Sequence, residues 1–126
     1  MAKLQHLLKN FMDEYDAQED FYEDTPGEWN YYLDKNHAMS LLQDGPEIQL
    51  RCNIAETPKR LSTLETALNA NYLGIATQGN ILALDSTGSS LILVKRLDEE
   101  TDYPLFEEAL ENFLNIALHW IELVEN

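Results

Sequence analysis

The stretch from Asn71 to Leu97 constrains the fold more than any other part of this chain. It holds two short apolar runs, Ile81–Leu84 and Leu91–Val94, separated by the turn formers Asp85-Ser86-Thr87-Gly88-Ser89-Ser90. Runs this short, bounded by Gly, Asn and Ser, predict two strands of an antiparallel hairpin. A hairpin with one wet face alternates apolar with polar residues. Here both faces of each strand are apolar: Ile81/Ala83 and Leu82/Leu84 on the first, Leu91/Leu93 and Ile92/Val94 on the second. The hairpin therefore expects cover on both sides, from the chain's own helices on one and from another chain on the other.

The remaining elements are set by periodicity. Residues 2–15 predict an amphipathic helix, with Leu4, Leu7, Leu8, Phe11, Met12 and Tyr15 at helical spacing. Residues 13–24 follow, in which seven of twelve side chains are acidic but Tyr15, Phe21 and Tyr22 are interleaved. Those aromatics are expected to tuck into the core beside the first helix, and Thr25-Pro26-Gly27 breaks the segment. A meander comes next: Trp29–Leu33, then His37–Leu42, then Ile48–Ile54, with turns at Asp34-Lys35-Asn36 and Asp44-Gly45-Pro46. The last of these strands alternates Ile48, Leu50, Cys52 and Ile54 against Gln49, Arg51 and Asn53, the pattern of one buried face.

A second helix opens either at Thr57-Pro58 or at a capping box, Ser62 to Glu65. Its stripe is Leu61, Leu64, Leu68 and Tyr72, and Gly74 ends it. After the hairpin, Asp102 or Tyr103 caps a long helix running to about Val124, with Phe106, Phe113, Ala117 and Trp120 in its apolar face and Glu107 and Glu108 placed in its first turn against the dipole. The order is α-β-β-β-α-β-β-α. The fold class is α+β: one domain over residues 1–126, with an antiparallel twisted sheet packed by helices.

Composition closes off several function classes. A chain of 126 residues with 44% hydrophobic content supports a single core without disulfides or metal. The formal net charge of −15 repels phosphate backbones and anionic lipid, so neither nucleic acid nor a membrane surface is expected as a partner. A basic or neutral polypeptide is attracted instead. No apolar run reaches the roughly 20 residues that span a bilayer, and the N-terminus lacks a signal-peptide core. The expected compartment is a reducing cytosol.

No catalytic constellation is legible. His6, His37 and His119 belong to no spaced ligand set, so no metal or other cofactor is expected. Cys52 lies on the buried face of its strand and reads as an inert core thiol. Gly79 and Gly88 are too far apart for a phosphate loop. The chain is not expected to be an enzyme.

Two segments carry a resemblance. Ala70-Asn71-Tyr72-Leu73-Gly74 ends a helix, Thr77-x-Gly79-x-x-Leu82-x-Leu84-Asp85 enters a strand, and Leu91-x-Leu93 leads to basic Lys95-Arg96. With the final helix bearing Phe106, Phe113, Ala117 and Trp120, these resemble the C-terminal half of the CesT/Tir-type family of type III secretion chaperones. The first half is similar only in pattern, and residues 13–32 form a longer acidic aromatic stretch than the family pattern holds there.

The resemblance implies a small acidic homodimer of the bacterial cytoplasm, without nucleotide or enzymatic activity. It would bind the N-terminal segment of a secreted effector, hold it extended and soluble, and deliver it for secretion, with main-chain pairing at a sheet edge. On that basis Leu61, Leu64, Leu68, Tyr72, Ile81 and Leu91 are the expected dimer interface. Leu8, Phe11, Met12, Met39, Leu41, Ile48 and Leu50 are the expected client-binding residues. A non-secretory adaptor or regulatory module on the same fold is the alternative.

Overall fold

A computed structural model of the chain describes residues 3–56, 80–84, 88, 90–98 and 100–125. Its elements are α1 (Lys3–Tyr15), β1 (Phe21–Thr25), β2 (Glu28–Tyr32), β3 (Ala38–Asp44), β4 (Glu47–Glu56), β5 (Ile81–Leu84), β6 (Ser90–Leu97) and α2 (Tyr103–Glu125). The strands form one six-stranded sheet in the order β1-β2-β3-β4-β6-β5, and every neighbouring pair is antiparallel. Helix α1 packs on β3 and helix α2 on β4 and β6, so both lie against one face, where they also touch each other. The fold is the expected α+β class. The expected middle helix, with Leu61, Leu64, Leu68 and Tyr72, falls outside the described residues.

Side-chain alternation and register explain the two faces. One row crosses all six strands as Phe21, Tyr31, Met39, Cys52, Leu93 and Leu82. Five of these side chains are buried and Tyr31 packs against them. The helices cover this row with Leu4, Leu7, Leu8 and Phe11 from α1 and Phe106, Leu110, Phe113, Ala117 and Trp120 from α2. The next row is Tyr22, Asn30, Ser40, Arg51, Val94 and Ile81, and it points the other way. Tyr22, Arg51 and Ile81 are exposed there and the rest are half-buried. A one-residue step along any strand thus moves a side chain from core to open face.

The acidic stretch departs from expectation. It contains a strand, β1, so four strands separate α1 from residue 57 rather than three. Phe21 turns into the core while Tyr22, Glu23, Asp24 and Thr25 stay exposed, which an edge strand with solvent beside it tolerates. Thr25-Pro26-Gly27 is the β1–β2 turn, with Gly27 at φ 85°. Gly45 makes the β3–β4 turn at φ 60°. Both values lie in the left-handed region that glycine enters without a Cβ clash.

Three of the four helix ends have identifiable caps. The Leu4 backbone N–H donates to Gln43 Oε1 at 2.9 Å, and Gln43 Nε2 donates to the carbonyls of Gly45 (2.7 Å) and Glu47 (3.2 Å). One side chain from β3 therefore caps the start of α1 and braces the adjacent turn. Helix α1 ends with Asp16 at φ 51° and an Ala17 N–H bond to the Met12 carbonyl at 2.9 Å, a Schellman ending without the usual glycine. At α2, Asp102 Oδ1 accepts from the Leu105 N–H at 3.1 Å, so Asp102 is the cap. Glu107 and Glu108 fall one turn further in than the sequence suggested. The two helices are tied across their surface. The Tyr15 hydroxyl donates to Glu107 (2.6 Å) and Glu111 (2.9 Å), and the Tyr103 hydroxyl donates to Glu14 (2.5 Å).

Candidate functional site

Polar chemistry in the described residues is structural. His37 is buried, and its Nδ1 lies 2.9 and 3.0 Å from the two oxygens of Asp34. The same carboxylate accepts from the N–H groups of Asn36 (2.7 Å) and His37 (2.9 Å), closing the β2–β3 turn. The Asn36 amide first, then the His37 ring, hold the Asp34 carboxyl below its usual range. His6 and His119 are exposed, and the His119 ring meets Trp120 edge-on. Cys52 is the core thiol that its strand alternation implied, and burial pushes its pKa up to about 12. Such a thiol is protonated at neutral pH and is not a ready nucleophile. Among the described residues no three His, Cys, Asp or Glu side chains stand together as a metal set. None of the helices described is long and apolar enough to cross a membrane.

What the molecule offers is surface. The hairpin has one face in the core, through Leu82, Leu91 and Leu93, and the other open. Ile81 is 54% exposed there, with Ala83, Ile92 and Val94 half-buried around it. At the far end of the same sheet face, Tyr22 and Tyr32 stack with ring centroids 5.9 Å apart and 22° between planes. A hydrogen bond to Tyr32, with a smaller contribution from the Asp24 charge, raises the Tyr22 phenol to about 12, so the Tyr22 hydroxyl stays protonated at neutral pH. The end strands of the described sheet are β1 and β5, and along β1 no further strand pairs on the outer side among the described residues. A hollow of about 400 Å³ lies between the end of β6 and α2, bordered by Lys95, Arg96, Asp98 and Glu108. A smaller one, about 200 Å³, sits between Leu4, Pro26 and Trp29.

The expected site residues divide sharply. Of the client-binding set, Leu8, Phe11, Met39, Leu41, Ile48 and Leu50 are all buried in the single chain's core. The structure does bring them together, but as core between the helices and the sheet, with Met39 and Leu41 on β3 against α1 and Ile48 and Leu50 on β4 against α2; reaching a ligand would require a helix to leave. Met12, half-buried at the rim, is the exception. Of the expected interface set, Ile81 is exposed and Leu91 is fully buried in the core, paired across the sheet with Ala55 of β4. Leu61, Leu64, Leu68 and Tyr72 lie outside the described residues. Sequence reasoning missed Tyr22 and Tyr32 as surface features. The signal was the phase of the strand: with Phe21 inward, Tyr22 is outward, but β1 itself had not been recognised.

Comparison with known proteins places these features in a lineage. The family model described as the Tir chaperone protein (CesT) family matches residues 6–121. A protein of Chlamydia pneumoniae is 26% identical over 122 residues, which is 94% of this chain and 93% of that protein. Among solved structures, a chain of the ExsC–ExsE complex superposes with a TM-score of 0.74 at 16% identity, covering 97% of this chain and 93% of its own. The Yersinia pestis type III secretion chaperone SycH, solved with a stable fragment of YscM2, superposes at 0.67 and 18% identity, covering 91% of this chain and 97% of that one. At such identities the likeness is one of fold.

Proposed function

The chain belongs to the Tir chaperone protein (CesT) family, and from that premise we propose that it is a type III secretion chaperone. It binds the N-terminal segment of a secreted effector in the bacterial cytoplasm, keeps that segment soluble and extended, and hands it to the secretion apparatus. The observation that carries this reading is the one-sided packing of the sheet. Among the described residues both helices cover one face, while the other face and the β1 edge carry exposed aromatic and aliphatic side chains. A chain built to present backbone and apolar surface to an unfolded polypeptide needs that arrangement, because strand addition supplies sequence-tolerant hydrogen bonds and side-chain pockets supply selectivity.

The chain acts as a homodimer in this reading. Ile81 and its half-buried neighbours Ala83, Ile92 and Val94 supply an apolar patch, and Leu61, Leu64, Leu68 and Tyr72 of the predicted middle helix join it. Leu91 contributes from beneath by holding β6 in place. Client contact moves from the buried set to the open face and the β1 edge, with Met12 at the rim.

Co-purification from the source cell with mass-spectrometric identification tests the function. Capture of a protein whose N-terminal segment is needed for binding, and which is exported by a type III system, supports it. Capture of only a transcriptional or signalling protein favours the adaptor alternative. Light scattering at micromolar concentration should give twice the 14.5 kDa chain mass, and a monomer would overturn the dimer.

A further inference from the structure

The open sheet edge is chemically lopsided. Between Lys9 and Lys35 there is no lysine or arginine, while nine carboxylates occur: Asp13, Glu14, Asp16, Glu19, Asp20, Glu23, Asp24, Glu28 and Asp34. Four of them, Glu19, Asp20, Glu23 and Asp24, fall in the six residues that enter and form the edge strand β1, and all four are exposed. Carboxylates on an edge are a common guard against self-pairing. A guard alone has no use for two phenol rings laid side by side in water, and Tyr22 and Tyr32 are 42% and 58% exposed. They are diagonal neighbours across β1 and β2, since Tyr22 pairs directly with Asn30.

We propose that Tyr22, Tyr32 and Asp24 form an arginine-reading site for an extended basic strand that adds to the edge of β1. This rests on the chaperone reading above and specifies what kind of client segment the edge accepts. A strand added to β1 places one of its side chains directly opposite Tyr22 on the open face, with Cβ atoms roughly 5 Å apart. A planar guanidinium there lies over the tyrosine pair, where cation–π attraction and stacking both favour it. Asp24 lies two residues on from Tyr22, at the irregularity where the β1–β2 register shifts between Glu23 and Thr25, and it adds a carboxylate for a second cation near the arginine. The preferred client motif is therefore an arginine with a second cation close to it in the strand. The carboxylates draw a basic strand in and disfavour an acidic one.

The test uses the full-length chain and three synthetic ten-residue peptides of strand-forming sequence. They carry arginine, lysine or glutamate at two alternate positions and are otherwise identical. Binding is read by fluorescence anisotropy, and the location by backbone amide shifts. The arginine peptide should bind roughly threefold or more tighter than the lysine peptide, the glutamate peptide should not bind, and the shifts should centre on residues 21–25. Tyr22→Thr with Tyr32→Thr should remove the arginine preference while leaving the melting temperature within a few degrees, since both rings are solvent-exposed. Asp24→Asn should weaken both basic peptides. Equal affinity of the arginine and lysine peptides, or a preference that survives the double substitution, overturns the proposal. So do shifts centred on Ile81 and Val94. The two levels separate in the cell: an effector captured equally by wild type and the double variant refutes the arginine site alone, whereas an effector captured by neither, with both folded, refutes the chaperone reading.

Discussion

Replacing Leu8 by alanine decides whether the seam between α1 and the sheet is core or client groove. Leu8 is fully buried, packed in the same cluster as Leu41, Met39, Leu50 and Phe11. Truncation removes three carbon centres, worth about 2 to 2.5 kcal/mol in transfer at roughly 0.8 kcal/mol each. A residual cavity adds to this, and buried leucine-to-alanine changes cost about 2–5 kcal/mol in all. A central value of about 3 kcal/mol suits a site walled by a rigid sheet. The unfolding entropy of roughly 2.1 cal/mol/K per residue, over 126 residues, gives about 0.26 kcal/mol/K. The melting temperature should therefore fall by about 11 °C. The assay is thermal unfolding by circular dichroism at fixed protein concentration, because association shifts the midpoint. Urea denaturation should show a lower midpoint at unchanged slope. A variant that melts within 2–3 °C of the wild type but loses its client refutes the core assignment, and returns Leu8 to the groove that the family resemblance implied.

Other outcomes follow from the same geometry. Ile81→Asp should yield a folded monomer by light scattering, because its side chain lies outside the core; a dimer that persists moves the interface elsewhere. Leu91→Asp, by contrast, should fail to fold, since Leu91 is fully buried and an unpaired charge there has no partner. Asp16→Gly should raise stability by about 0.5–1 kcal/mol, as glycine adopts the left-handed φ of 51° without strain and removes a negative charge from the C-terminal end of α1. An unchanged urea midpoint would mean that Asp16 is unstrained. The Cys52 thiol, pushed to about 12 by burial, keeps its proton in the fold while the unfolded thiol ionises near 8.5. Its contribution is complete below that lower value and is lost as pH rises toward 12. Cys52→Ala should flatten the alkaline decline in stability, and native Cys52 should react with Ellman's reagent only at the rate of unfolding.

The sequence made most of the interior legible because period-2 and period-3.6 patterns report burial directly. Ile48, Leu50, Cys52 and Ile54 all turn inward as their alternation requires, and the Phe106-to-Trp120 stripe covers the sheet. Residues 21–25 were not legible for a physical reason. An edge strand needs only one inward side chain, Phe21, and four exposed polar or aromatic neighbours leave no alternation to detect. Function was harder to place than fold for a related reason. Periodicity marks apolar residues that leave water, but it does not say whether they meet their own chain or another. Leu8 and Leu41 carry the same signal as Ile81, yet the first two close the core and the third faces out.

The two end strands of the described sheet differ in charge and polarity. Strand β5, ILAL, holds no charge, and its open face presents Ile81 beside Val94 and Ile92. Strand β1, FYEDT, holds two carboxylates and follows two more. Pairing β1 with a second β1 would set Glu23 and Asp24 against like charge, which is unfavourable at cross-strand distance. Pairing at β5 meets no such obstacle and removes apolar surface from water. A net charge of −15 adds long-range repulsion between copies, so self-association must be concentrated where burial is richest and charge absent. For a basic foreign strand the ranking reverses, since the acidic edge attracts it and β5 offers it nothing electrostatic. Under the proposed function, one sheet would sort its own kind to one end and its client to the other. Adding salt separates the two contacts: client binding at β1 should weaken within the Debye-screening range of about 0.1–0.5 M, while the dimer holds or tightens. A dimer that dissociates in 0.5 M salt together with its client would refute that division of the edges.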